Sequence, residues 1–552
     1  PFAAPPTGER RWRAPAQPAG WEGVREALES KSPCTQLDMG DATRVTGDED
    51  CLYLDVYAPK FAADALPTGD ARRPVMVWIH GGGNSIGDAT VYDSSRIAVE
   101  NDVIVVPIQY RLGILGWLSH PALRATAANA EDASGNFGTL DTIRALEWVR
   151  DNIAAFGGDP DNVTIFGESA GGMNVFALLL SPRANGLFHR AISQSGSTAT
   201  FTREDAETFA DEHPRRLTGS NEMLLRYLIK DGKAVDRAAA KATIASMSNR
   251  EIETLLRSKS KEELLSIFDE SMGGGMYFIP QLIRDGEVIV DLDTAEAFAT
   301  PGKHNAVPTI AGSNREETKL FALMMSPHVN RFFGIPMGVS DQSAFDLEGE
   351  YGGLLWKTDG VDSPIAAMRS SGRSDVWGYR FDWDEFGSIL WVNLANLLGA
   401  SHAIEILFVF GFTDFDGMTN NIYANPETAV TLSEQMRAYW TEFARSGDPG
   451  NGGGELELPV WEPWGASPED AKYLVFDSAA GGGLRMSNAI LDRDEVIARL
   501  DGDERVSTTE ERCRLFRNFT MFSGAIEPGE YDAFQAGACA SWPIEFPPLP
   551  GS

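Results

Sequence analysis

Val163-Thr164-Ile165-Phe166-Gly167-Glu168-Ser169-Ala170-Gly171-Gly172-Met173 decides the fold class. Its first four residues are β-branched or aromatic and read as the end of a strand. The glycines around Ser169 read as a sharp turn, and the apolar run Met173 to Leu180 reads as a helix. Just upstream, Ile143, Ala145, Leu146, Val149 and Ile153 recur at helical spacing. Earlier still, residues 73–79 (Arg-Pro-Val-Met-Val-Trp-Ile) and 103–110 (Val-Ile-Val-Val-Pro-Ile-Gln-Tyr) are short apolar runs of the kind a parallel sheet buries on both faces. Downstream, residues 191–196 and 307–312 are further candidate strands, each ending in glycine. Strands alternating with helices define the α/β class, whose ligands bind at the carboxyl edge of the sheet. Residues 205–300 and much of 320–400 are charged and helical in pattern, so they read as insertions that roof this edge rather than as separate domains. The apolar run 404–412 has strand length.

Composition narrows the partners. Lys and Arg number 47 against 80 Asp and Glu, a net charge of −33 that repels nucleic acid and anionic lipid. No run reaches the roughly 18 apolar residues a membrane span requires. The sequence holds no HExxH, no Cys/His cluster at ligand spacing and no EF-hand loop, so no metal or other cofactor is expected. Four cysteines allow three full pairings; closeness in sequence favours Cys34 with Cys51 and Cys513 with Cys539, bonds that suit a secreted or periplasmic protein. The chain opens at Pro1 in a turn-like segment, so a leader is not legible, and no motif speaks to oligomeric state.

A serine hydroxyl becomes a nucleophile only with a base in reach, a group to orient that base, and donors for the oxyanion. Gly167-Glu168-Ser169-Ala170-Gly171 fits the GxSxG elbow, in which small flanking residues let a strained turn present the hydroxyl. In a chain with 55 glycines the pattern arises by chance about 0.3 times, and Gly83-Asn84-Ser85-Ile86-Gly87 is such a match, with neither a strand directly before it nor an apolar helix after it. His80-Gly81-Gly82-Gly83 follows a strand and has the form of an oxyanion loop, which makes the N–H groups of Gly82, Gly83 and Ala170 the expected donors. Triad order places the base after Ser169, among His189, His213, His304, His328 and His402; the setting of His402, before an apolar run, is the best of the five. The residues alone leave the acid open among many carboxylates, including Glu316 and Glu317 beyond a strand end.

Taken together, the sequence resembles the type-B carboxylesterases, the family of cholinesterases, bacterial para-nitrobenzyl esterases and fungal lipases. The resemblance runs through Glu49 to Val56, Tyr110-Arg111-Leu112-Gly113, Gly135-Asn136-Phe137-Gly138, Phe156-Gly157-Gly158-Asp159-Pro160 and the elbow. It implies one α/β-hydrolase domain over residues 1–552, a mostly parallel sheet flanked by helices. It also implies a serine esterase acting on small-molecule esters through a Ser169, His402 and Glu317 triad, and it matches Cys34 and Cys51 to the family's first disulfide. The run Glu405 to Gly411 resembles the family's ExxFVFG after the histidine. Asn84 stands where the family commonly has an aromatic residue and Thr318 where it commonly has glycine, so substrate choice departs from the family pattern; Asn84 either faces the pocket or bonds its own turn. Carbamates, amides, lactones or polyesters are alternative substrates for the same triad, and a non-catalytic cholinesterase-like binding protein is the alternative role.

Overall fold

A computed structural model describes all residues except 63–64, 269–273, 416–417, 523–527, 545–548 and 552. Its centre is an eight-stranded sheet built from β1 (Arg73–Ile79), β2 (Ile104–Ile108), β3 (Gly158–Glu168), β4 (Arg190–Gln194), β5 (Thr309–Asn314), β6 (Val376–Phe381), β7 (Tyr473–Phe476) and β8 (Arg485–Ser487). The spatial order is β8-β7-β6-β5-β4-β3-β1-β2, and every pairing is parallel except β7 with β8.

Period-two alternation between two buried faces explains why β1 is apolar from Val75 to Ile79. In β1, Val75, Val77 and Ile79 enter the core on one face of the sheet, while Met76 and Trp78 enter the core on the other. Pro107 sits in β2, at the sheet edge, where a missing N–H breaks no inner ladder. Helices α1 (Phe137–Asn152) and α2 (Ala170–Leu179) pack on the first face; α6 (Pro426–Ser446) brings Tyr439, Trp440 and Phe443 to the second. Between them in the chain lie α3 (Lys319–Met325), α4 (Gln342–Lys357) and α5 (Ile404–Val409).

Two expectations are corrected. Residues 320–400 are not only a helical insertion, because Val376–Phe381 is a central strand and Val329–Phe332 pairs with Ile335–Val339 in a hairpin. The run 404–412 is not a strand: Ile404–Val409 forms α5, since a short apolar run has no period that tells a buried strand from a buried helix. Residues 205–300 include the helices Ser220–Lys230, Arg237–Ser246 and Asn249–Ser258.

Both expected disulfides form, Cys34–Cys51 and Cys513–Cys539. The second staples a C-terminal lobe containing α7 (Arg493–Gly502) and α8 (Thr509–Phe522), whose Leu500, Leu515 and Phe516 pack with Leu347, Tyr351 and Leu355 of α4. Among the described residues no helix is long and apolar enough to cross a membrane.

Candidate active site

Ser169 follows the last residue of β3 with φ +57° and ψ −122°. That conformation is costly for a side-chain-bearing residue and persists only where its surroundings enforce it. Here the enforcement comes from both sides. The Ser169 N–H donates to the Gln194 carbonyl of β4 at 2.9 Å, and a Cβ on Gly171 would lie 1.9 Å from the Ile79 carbonyl oxygen of β1. The chain after β1 turns through Gly82 (φ +106°) and Gly83 (φ +61°) and packs on the elbow, for a Cβ on Gly81 would stand 3.0 Å from that of Ser169. Ala170 opens α2, so its N–H has no acceptor within the helix. His80 is buried, stacks on Tyr110 at 4.5 Å, contacts the Gly81 carbonyl through Nδ1 at 2.9 Å and is pulled down in pKa by burial.

Glu317 lies just beyond β5, fully buried. Its Oε1 accepts the Asn314 N–H at 2.6 Å and its Oε2 stands 2.6 Å from His402 Nδ1. The neighbouring Glu316 binds the same histidine loop: its N–H donates to the Ala400 carbonyl at 2.9 Å and its Oε2 accepts the Ala400 N–H at 3.0 Å. Two successive glutamates thus hold two residues of one loop, with Lys319 compensating Glu316 at 2.7 Å.

Two further carboxylates face His402. Glu168 Oε1 is 3.2 Å from Nε2, and Glu405, three residues after the histidine, accepts from Asn314 Nδ2 at 2.6 Å. Burial lifts Glu168 well above the ordinary carboxylate range, and burial and then Glu317 push Glu405 up to about 7. For His402 burial acts downward, but Glu168 and Glu317 outweigh it and raise the imidazole to about 9. Burial opposes ionisation of Glu168, which faces Nε2, whereas Glu317 contacts the imidazole directly at Nδ1. Trp356 and Phe321 cover the imidazole at centroid distances of 4.8 and 5.3 Å.

Thus Ser169, Glu317, His402 and the oxyanion candidates Gly82, Gly83 and Ala170 gather at one sheet edge. The other histidines serve elsewhere: His189 Nδ1 accepts the Val163 N–H, His213 pairs with Asp205, His304 contacts the Ala297 carbonyl and His328 contacts Arg514. Ser85 lies buried, its hydroxyl accepting the Tyr277 N–H. Asn84 Oδ1 accepts from Asn174 of α2 at 2.8 Å and so ties the glycine loop to the helix after Ser169. Thr318 donates to the Glu348 carbonyl at 2.7 Å. Glu168, Glu405 and Phe321 were not expected as parts of the site. Two of them carry a local signal, since Glu168 immediately precedes Ser169 in the elbow and Glu405 stands at i, i+3 from His402. Among the described residues no group of three or more His, Cys, Asp or Glu could hold a metal ion.

The carboxylesterase family profile matches residues 1–333 and 356–490. The chain is 34% identical over 499 residues to the para-nitrobenzyl esterase of Bacillus subtilis (strain 168), covering 87% of this chain and 90% of that one. It is 31% identical over 532 residues to carboxylesterase 4A of Bos taurus, covering 86% of each. The crystal structure of carboxylesterase EST55 from Geobacillus stearothermophilus superposes with a TM-score of 0.64 at 29% identity, over 88% of this chain and 92% of that one.

Proposed function

The chain belongs to the carboxylesterase family and is a carboxylic ester hydrolase, and we propose that it works through an acyl-enzyme on Ser169. Neutral His402 takes the hydroxyl proton as Ser169 Oγ bonds the ester carbonyl carbon, and the N–H groups of Gly82, Gly83 and Ala170 receive the oxyanion. The proton passes to the departing alcohol. Water, deprotonated by the same imidazole, then attacks the acyl-enzyme and releases the acid. Glu317 fixes the tautomer and stabilises the imidazolium.

The observation that carries this is the buried 2.6 Å contact between Glu317 and His402 at the edge where Ser169 is held in a strained turn. A non-catalytic binding protein has no use for that arrangement, which keeps two ionisable groups out of water. Substrates are small-molecule esters; carbamates, amides, lactones and polyesters would draw on the same machinery, with selection made by the pocket. Two disulfides fit an oxidising compartment, secreted or periplasmic. Four titratable thiols in protein isolated without reductant would argue against that location.

Hydrolysis of para-nitrophenyl esters from acetyl to palmitoyl tests the chemistry, with Ser169→Ala as control. The variant is expected to lose nearly all turnover. Undiminished turnover by folded Ser169→Ala would remove Ser169 from the mechanism.

A further inference from the structure

Beside the triad lies a cavity of about 150 Å³. It begins one side chain from the histidine: Trp356 lines it and also covers the His402 ring, and Thr318, the residue after Glu317, forms part of its wall. Its apolar surface comes chiefly from Ala322 and Met325 of α3, Leu355 and Trp356 of α4, and Leu515 of α8. A cavity of about this volume has room for a benzene-sized group, and Ser197, Asp359, Arg517 and Asn518 add polar surface to its wall.

Several polar groups on the wall bond one another. Glu348 accepts from Ser326 at 3.0 Å and from Arg514, and its carbonyl accepts from Thr318. The four charged residues on the wall, Glu348 and Asp359 against Arg514 and Arg517, balance in formal charge, so the cavity offers no net charge to recruit an ionic group and its apolar residues are what a ligand buries.

The wall has two origins. Ala322 and Trp356 fall within the residues matched by the family profile, whereas Glu348, Leu355, Arg514 and Leu515 fall outside them, on α4 and on the disulfide-stapled lobe. The names of relatives therefore carry little information about what fits.

We infer that this cavity is a substrate subsite for an uncharged, phenyl-sized group of the ester, and that the C-terminal lobe, through Leu515, sets its size limit. The inference rests on the esterase reading of Ser169 and His402. It makes the preferred substrates esters with an aromatic ring, or an aliphatic group of like size, on one side of the scissile bond.

Two variants narrow the cavity from opposite walls, Leu515→Phe from the lobe and Ala322→Leu from α3; the second remains informative if the first fails to fold. Each is assayed on para-nitrophenyl benzoate against para-nitrophenyl acetate, and on benzyl acetate against ethyl acetate. In one series the ratio of kcat/KM, ring-bearing over small ester, is expected to fall about tenfold or more, the scale on which a pocket discriminates one or two carbon groups. The series that responds identifies whether the acyl or the alcohol side enters the cavity. Ratios within about twofold of wild type in both series, for a folded variant, would overturn the inference. Calorimetric titration of benzyl acetate and, separately, of methyl benzoate into Ser169→Ala separates the two readings. Binding of either ester that Leu515→Phe or Ala322→Leu weakens about tenfold supports the subsite even if no ester is turned over, and binding of both esters indifferent to both substitutions overturns it while the esterase stands.

Discussion

Gly171→Ala provides the sharpest test of how the elbow is held. Gly171 packs edge-on against the end of β1, and an added Cβ would lie 1.9 Å from the Ile79 oxygen, 2.8 Å from the Ile79 carbonyl carbon and 3.0 Å from the His80 oxygen. These obstacles are backbone atoms, so no side chain can swing aside. Relieving the closest contact to the 3.0 Å floor for real Cβ atoms requires β1 and the elbow to part by about 1 Å. The parting falls between Ser169 and the loop that starts at His80, which carries the oxyanion candidates Gly82 and Gly83. A misplacement of about 1 Å between reacting groups costs about 10²-fold in rate, equivalent to about 2.7 kcal/mol of barrier. The loss should appear in kcat on para-nitrophenyl acetate, alongside an overpacking penalty of about 1–3 kcal/mol in denaturant unfolding. Gly20→Ala is the control, because a Cβ there meets nothing within 4 Å and the backbone is not left-handed. If folded Gly171→Ala keeps kcat within about threefold of wild type, the elbow is not what registers the nucleophile against the loop.

Two other perturbations probe the charges. In Glu317→Gln the imidazole loses one of the two carboxylates, Glu168 and then Glu317, that raise it to about 9; the base form accumulates only as pH rises toward that value, so the acid limb of kcat/KM should move to lower pH in the variant. The plateau should fall by about 10⁴-fold as the tautomer is lost, and an unmoved limb in the pH–rate profile would detach Glu317 from His402. Arg111 makes a buried two-pronged pair with Asp141, both contacts at 2.7 Å, and Asp141 is pushed upward by burial. Arg111→Met strands that carboxylate, so urea unfolding should show a loss of about 3–5 kcal/mol, which Asp141→Leu in the same chain should largely restore.

The parts of this molecule legible in its sequence are those whose physics is local. β1 covers the run 73–79 that the sequence marks out, its β-branched residues beginning at Val75, and the elbow at Ser169 announces itself because strand, glycines and helix are contiguous. Val376–Phe381 was hidden because six residues among charged helices carry no period of their own; only pairing with β5 and β7 makes them a strand. The histidine loop shows the same limit. Its contact with Glu317 spans 85 residues and its contact with Glu168 is longer still, so local pattern selects His402 by setting but cannot choose its acid, which came from resemblance. The cavity wall goes one step further, for Leu515 meets Leu355 across a stretch that neither period nor family pattern describes. Chemistry in this chain is written in short motifs at strand ends, where backbone geometry forces particular residues. Selectivity is written in long-range packing of an appended lobe, where many sequences of similar volume would serve. Variation in Leu515 and its neighbours should therefore change which esters are taken while leaving the elbow, the loop and the paired glutamates in place.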